Sequence, residues 1–239
     1  MILRIHKNKS LFLHSHPFFP VSPSKTLALM CLATTLGQAP APASGASEAN
    51  PLLASLPSEN FTLVPSPLLL RPGTIPLISI RHPRLSVPST HRVLQRMNLP
   101  HGGGSRAFFL QTTCNVWNCV LYNFYVSRGV EPVVVDAGDY MGGDDSGRQR
   151  EFVRALCGRL GLDGGRARFE WEAVAEGEVH PMFWASQGTL LESQGVGDGR
   201  VESEEEWEAE FGGDVGLVRE MVGLAEPFWR VLWERRWRG

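Results

Sequence analysis

The chain has few cysteines, no long apolar run and no acidic residue before Glu48, and each of these absences excludes something. Four cysteines (Cys31, Cys114, Cys119 and Cys157) among 239 residues show neither metal-ligand spacing nor the density of a disulfide-stapled secreted domain. No apolar stretch approaches the roughly 18 residues that a membrane span needs, so the reading is a protein with no membrane partner. A net charge of −2 provides no field for nucleic acid, and any anion site must be local. Internal repeats and coiled-coil heptads are absent. The glycines Gly102, Gly103 and Gly104 lack a following Lys-Ser or Lys-Thr pair, so they do not make a phosphate loop. Before Glu48 the only Lys and Arg residues are Arg4, Lys7, Lys9 and Lys25. Such a basic terminus suits a transit peptide, but Pro17, Pro20 and Pro23 interrupt the amphipathic helix that one requires. A cytoplasmic protein is expected, with a mitochondrial location as the alternative.

What is present suits one soluble α/β core. The hydrophobic fraction is 43% and the charged fraction 20%, ordinary for a globular domain of this length. Three parts are expected: residues 1–35 as an amino-terminal strand region of the core, 36–50 as a flexible Pro/Ala/Ser-rich linker, and 51–239 as the main α/β core with carboxyl-terminal helices. Ser10 to His16 reads as a short strand ending in the alternating pair His14 and His16. Pro76 to Ile80 and Glu131 to Asp136 read as buried parallel strands rich in β-branched residues. Helical spacing marks Cys114 to Val126, Gln149 to Leu160 and Val215 to Trp237, the last expected to kink or restart at Pro227. The glutamate-rich run Glu202 to Glu210 reads as a solvated face, helical or disordered.

The most informative stretch is Ile75 to Arg92, ISIRHPRLSVPSTHR from Ile78 onward. Arg81 stands at the carboxyl end of a strand that Pro83 terminates. In open α/β sheets ligands bind at that edge, and a guanidinium fork there suits a phosphate. Ser89, just after Pro88, is placed to meet the same anion through its hydroxyl or a backbone N–H at a helix start. Local chemistry alone favours a sheet-edge arginine and a serine that merely caps a helix. Arg92 and Arg96 follow on the same helix, either to reinforce the anion site or as solvated charges. Asp136 and Asp139, leaving the second strand toward the same edge, have no further ligands nearby in sequence and do not form a metal pair.

An Arg that ends a strand, a Pro two residues on and a Ser eight residues after the Arg resemble the 3′-phosphate-binding motif of sulfotransferases that use 3′-phosphoadenosine 5′-phosphosulfate (PAPS). IRHPRLSVPSTHR is similar, more narrowly, to a fungal branch of P-loop sulfotransferase-like proteins. The resemblance runs from about residue 9 to residue 237 and also touches Val133–Asp139, Leu156–Leu162, Phe183–Ser186 and Leu191–Gly195. It implies a parallel β-sheet flanked by helices, of the P-loop NTPase/sulfotransferase-like class and incomplete at its N-terminus. Arg81 and Ser89 would hold the 3′-phosphate of PAPS, used as a co-substrate with no metal. His16 falls where the family carries its catalytic base, although His14 and Ser15 replace the Lys and Glu of the family element. An imidazole with a pKa near ~6.5 suits that role. The resemblance omits the loop that holds the 5′-phosphosulfate, which lies upstream of Leu11 in relatives, and the late Arg-Lys-Gly element; Arg200 is the nearest basic residue to the latter.

Two functions follow from these features. The first is transfer of a sulfuryl group from PAPS to a hydroxyl of a small metabolite, impaired if the phosphosulfate loop is lacking. The second is a non-catalytic nucleotide-binding or interaction protein that retains the 3′-phosphate half of the site. The acceptor is read only as a small hydroxylated molecule, and the sequence leaves the oligomeric state open.

Overall fold

A computed structural model describes residues 23–37, 50–97, 103–141, 146–195, 197 and 199–239. Two short strands, β1 (Leu77–Ile80) and β2 (Val133–Asp136), pair in parallel, with Leu77 opposite Val133 and Ile80 opposite Asp136. They are the only ladder strands among the described residues, so the expected parallel sheet with flanking helices is present in a small form. All four residues of β2 are buried, as a valine-rich strand covered on both faces should be. In β1, Ile78 and Ile80 face the core while Ser79 faces out.

In chain order the helices are α1 (Pro23–Gly37), α2 (Pro51–Ala54), α3 (Ser66–Leu69), α4 (Pro83–Arg96), α5 (Gly103–Thr113), α6 (Val116–Val126), α7 (Ser146–Arg159), α8 (Pro181–Glu192), α9 (Glu204–Phe211) and α10 (Val215–Glu234). The crossover from β1 to β2 runs through α4, α5 and α6, the long connection that parallel pairing demands. Among the described residues no helix is long and apolar enough to cross a membrane. The strand expected at Ser10–His16, and with it His14 and His16, lies outside the described residues. So does most of the expected linker; its first residues, Leu36 and Gly37, end α1, and its last, Asn50, caps α2 with a side-chain oxygen 2.9 Å from the Leu52 N–H.

Helix α10 organises the core. Val218, Met221, Leu224, Ala225, Phe228, Trp229, Val231 and Leu232 form one buried stripe at three-four spacing. In the same core cluster stand Val116, Cys119 and Val120 of α6, Phe109 of α5, and the sheet residues Ile78 and Val134. The helix continues through Pro227 rather than restarting there, held by this packing on both sides of the proline. The end of α1 also lies tight on α10: a Cβ at Gly37 would sit 2.8 Å from the Leu224 carbonyl oxygen, so that contact admits glycine alone.

Two hydrogen bonds fasten α10 and the chain end to β2. The Trp229 indole N–H donates to the buried Asp136 carboxylate at 2.7 Å, and the Trp237 N–H donates to the Val134 carbonyl at 2.8 Å, along the strand edge away from β1. Trp229→Phe leaves one Asp136 oxygen buried without a partner, and chemical denaturation is expected to show a loss of about 1–3 kcal/mol. Trp233→Phe removes an indole N–H that meets no such carboxylate and serves as the comparison; equal losses in the two variants would show that the Asp136 bond contributes nothing.

Candidate anion site at the strand ends

Arg81 directly follows β1, and the register sets it beside Asp136 at the end of β2, with the turn Ala137–Tyr140 leading away. Among the described residues its guanidinium makes no hydrogen bond or ion pair, and its Nε is buried with no partner. Burial holds its pKa below the ordinary arginine value; Tyr140 opposes that, Arg92 adds to it, and Asp136 opposes it again. An arginine keeps its proton regardless, so the strand end carries a half-buried guanidinium that, among the described residues, is hydrogen-bonded to no carboxylate.

The carboxylates nearby are largely committed, one Asp139 oxygen alone being buried without a hydrogen bond among the described residues. Asp136 accepts from the Gly138 N–H at 2.8 Å with one oxygen and from Trp229 with the other, while Asp139 pairs with Arg236 at 3.2 Å. The two aspartates therefore serve as a turn cap with a helix anchor, and as an ion pair. Among the described residues no three His, Cys, Asp or Glu side chains gather as a metal set.

Helix α4 supplies hydroxyls rather than backbone donors. His82 is its N-cap: the ring Nδ1 accepts from the Arg84 N–H at 3.1 Å, and its carbonyl accepts from Leu85 at 2.8 Å and Ser86 at 3.1 Å. Those three N–H groups are the ones a helix start would otherwise offer to an anion. The sequence placed the helix start at Ser89, but the helix begins six residues earlier, because His82 can cap and Pro83 suits the first helical position. Ser89 is thus inside the helix, and only its hydroxyl is available, half-buried and without a hydrogen bond among the described residues. Pro88 forgoes one ladder bond, which the burial of Val87, Pro88, His91 and Leu94 outweighs.

Ser86, which the sequence reading passed over, has a buried hydroxyl with no partner. It is three residues before Ser89, which is three before Arg92, so the three share a side of α4, and helical side chains lean toward the amino end where Arg81 stands. Arg81 thus precedes the amino end of α4, with Ser86 and Ser89 about one and two turns along one side of that helix. The i, i+3 spacing of Ser86 and Ser89 was the sequence signal that could have identified Ser86.

The glutamate run is not a plain solvated face. Residues 202–211 lie over α4 and α10 as a strap: Glu210 grips Arg92 with both oxygens at 2.6–2.7 Å, Glu202 meets Arg92 at 2.6 Å, and Glu204 joins Arg84 to Arg219 at 2.8 Å each. Ser203 caps α9 in a reciprocal box with Glu206, and Trp207 and Phe211 anchor the strap in the core. Arg84 stacks over Trp207 at 4.4 Å. Arg92 is thereby neutralised, while Arg96 is exposed to solvent and donates to the Thr189 hydroxyl of α8 at 3.3 Å, so neither is half-buried without a hydrogen bond as Arg81 is.

These pairs set a pH dependence. Hydrogen bonds from Arg219 hold Glu204, and from Arg92 hold Glu210, below the usual carboxylate range. Because the folded values lie below the unfolded ones, the stabilisation is complete above the ordinary glutamate pKa and is lost as pH falls through the folded values. Stability to urea is expected to drop between about pH 5 and about pH 3. In Glu210→Gln the drop should be smaller by about 0.2–1 kcal/mol, the range for a partly exposed pair; an identical slope in the two proteins would show that the grip on Arg92 adds no stability.

No family model and no solved structure matches the chain. Two curated fungal proteins do. Sulfotransferase ppzF of Metarhizium rileyi is 26% identical over 201 residues, covering 75% of this chain and 57% of its own. Sulfotransferase ppzF of Metarhizium majus is 26% identical over 174 residues, covering 64% and 49%. The chain spans about half the length of the curated relatives it matches. These likenesses support a sulfotransferase-like family for the chain.

Proposed function

We propose that the chain is a sulfotransferase-like protein that binds PAPS through Arg81 and Ser89 and passes its sulfuryl group to a hydroxyl of a small metabolite. The observation that carries the reading is Arg81: a half-buried guanidinium at the carboxyl rim of a parallel strand pair, unpartnered among the described residues. A phosphate answers this need, offering charge and several acceptor oxygens at once. The hydroxyls of Ser86 and Ser89 on the adjoining helix, neither hydrogen-bonded among the described residues, suit the same group, and the likeness to two fungal sulfotransferases supports the same chemistry.

PAPS supplies a sulfuryl group already activated by its bond to a phosphate. Arg81 and Ser89 hold the 3′-phosphate and so orient the nucleotide. His16 takes the acceptor proton as the acceptor oxygen bonds to sulfur and the bond from sulfur to the phosphate oxygen breaks, giving a sulfate ester and adenosine 3′,5′-bisphosphate. No step in this scheme uses a metal.

Titration calorimetry with adenosine 3′,5′-bisphosphate is the direct test. Binding is expected, weakened about tenfold to a hundredfold in Arg81→Ala, as befits a lost charge-assisted contact. Absence of binding to the unaltered protein would end the nucleotide reading. Transfer of labelled sulfate from PAPS to a hydroxylated acceptor then separates an enzyme from a non-catalytic binder, and His16→Ala is expected to lower the transfer rate while leaving bisphosphate affinity unchanged.

A further inference from the structure

Across the strand ends from Arg81 stands Tyr140, which follows β2 after the short turn Ala137–Asp139. Its backbone is pinned. The Tyr140 N–H donates to the Ala137 carbonyl at 3.3 Å, the next N–H donates to the same oxygen at 2.8 Å, and the Gln149 amide donates to the Tyr140 carbonyl. Asp136 caps the turn from below. The phenol is half-buried, and among the described residues its hydroxyl makes no hydrogen bond. Burial pushes its pKa up, Asp136 adds to that, Arg81 opposes it and Asp139 adds again. These are the charged groups that face it; Asp136 is engaged with Gly138 and Trp229, and Asp139 accepts from Arg236 through Oδ1 while its Oδ2 is buried without a hydrogen bond among the described residues.

The rim thus holds two donors, a guanidinium and a phenol at the ends of paired strands, and among the described residues neither is hydrogen-bonded to the Asp139 oxygen nearby or to any other acceptor. Donors left without acceptors in a half-buried setting are costly unless an acceptor-rich group comes between them. We infer that the Tyr140 hydroxyl is a second donor to the phosphate held by Arg81, bridging the ends of the two strands around one phosphate monoester. The inference rests on the reading that Arg81 binds a phosphate and adds a residue to it. The pinned backbone gives the phenol its value, because a donor fixed in place loses little freedom when the ligand arrives.

The test compares adenosine 3′,5′-bisphosphate with adenosine 5′-monophosphate on the full chain, unaltered and as Tyr140→Phe and Arg81→Ala. Tyr140→Phe is expected to weaken the bisphosphate about tenfold and to leave the monophosphate and the melting temperature unchanged. A second readout needs no variant. Bisphosphate binding should raise the midpoint of one tyrosine in an absorbance titration of the phenolate by about one pH unit, and that tyrosine should be missing from the Tyr140→Phe titration. If the unaltered protein does not bind the bisphosphate, this inference and the proposed function fall together. If binding is present and lost in Arg81→Ala, yet Tyr140→Phe binds as well as the unaltered protein or no phenolate midpoint moves, the phosphate site stands and the role of Tyr140 is overturned.

Discussion

The Asp136 carboxylate is the group around which this fold is arranged. It lies at the end of a fully buried strand, 5% exposed, and bonds outward in two directions, to the Gly138 N–H of its own turn and to the Trp229 indole of α10. A buried carboxylate must have such partners, since leaving either oxygen unmet costs more than the bond itself contributes. By meeting both, the structure locks the carboxyl-terminal helix onto the sheet. Asp136 still acts on Arg81 through space, but both its oxygens are taken by other donors, and among the described residues Arg81 has no hydrogen-bonded carboxylate. The bonds that stabilise the core therefore leave the guanidinium at the strand end with donors to spare.

The rest of the charge distribution supports that division. With a net charge of −2 and acids concentrated around Glu202–Glu210, the chain could have surrounded every arginine near α4 with carboxylates. Instead the strap takes Arg84, Arg92 and Arg219, and Asp139 takes Arg236, while Trp207 and Phe211 set the strap's position by burial. Apolar anchors place the glutamates, and the glutamates then orient the guanidiniums. In this arrangement Arg81 is a local charge in an otherwise balanced neighbourhood, the condition for selecting one anion without attracting polyanions in general.

Some of this was legible along the chain. Both strands, α6, α7 and α10 follow from β-branched runs and three-four periodicity, which report the face each element buries. The start of α4 did not follow, because Pro83 reads as the stop of the strand and Pro88 as the helix opening, and His82 is a weak cap by composition. Only the packing of Val87, Pro88 and His91 decides between them, and it draws Ser89 inside the helix and turns Ser86 toward the amino end. The glutamate run read as solvated because its partners Arg84 and Arg92 lie more than a hundred positions away.

By itself the sequence determined the identity of the strands, the helical stripe of α10 and the placement of Arg81 at a strand's carboxyl end, since each is a matter of local pattern and of what proline forbids. The tertiary structure alone decided that, among the described residues, the Arg81 guanidinium has no hydrogen-bonded or ion-paired partner. That outcome depends on where Asp136, Asp139 and the strap glutamates spend their bonds, and Trp229 and Arg236, which claim the two aspartates, are more than ninety residues distant along the chain. A charge's identity is written in one residue; its compensation is a sum over neighbours that only folding brings together.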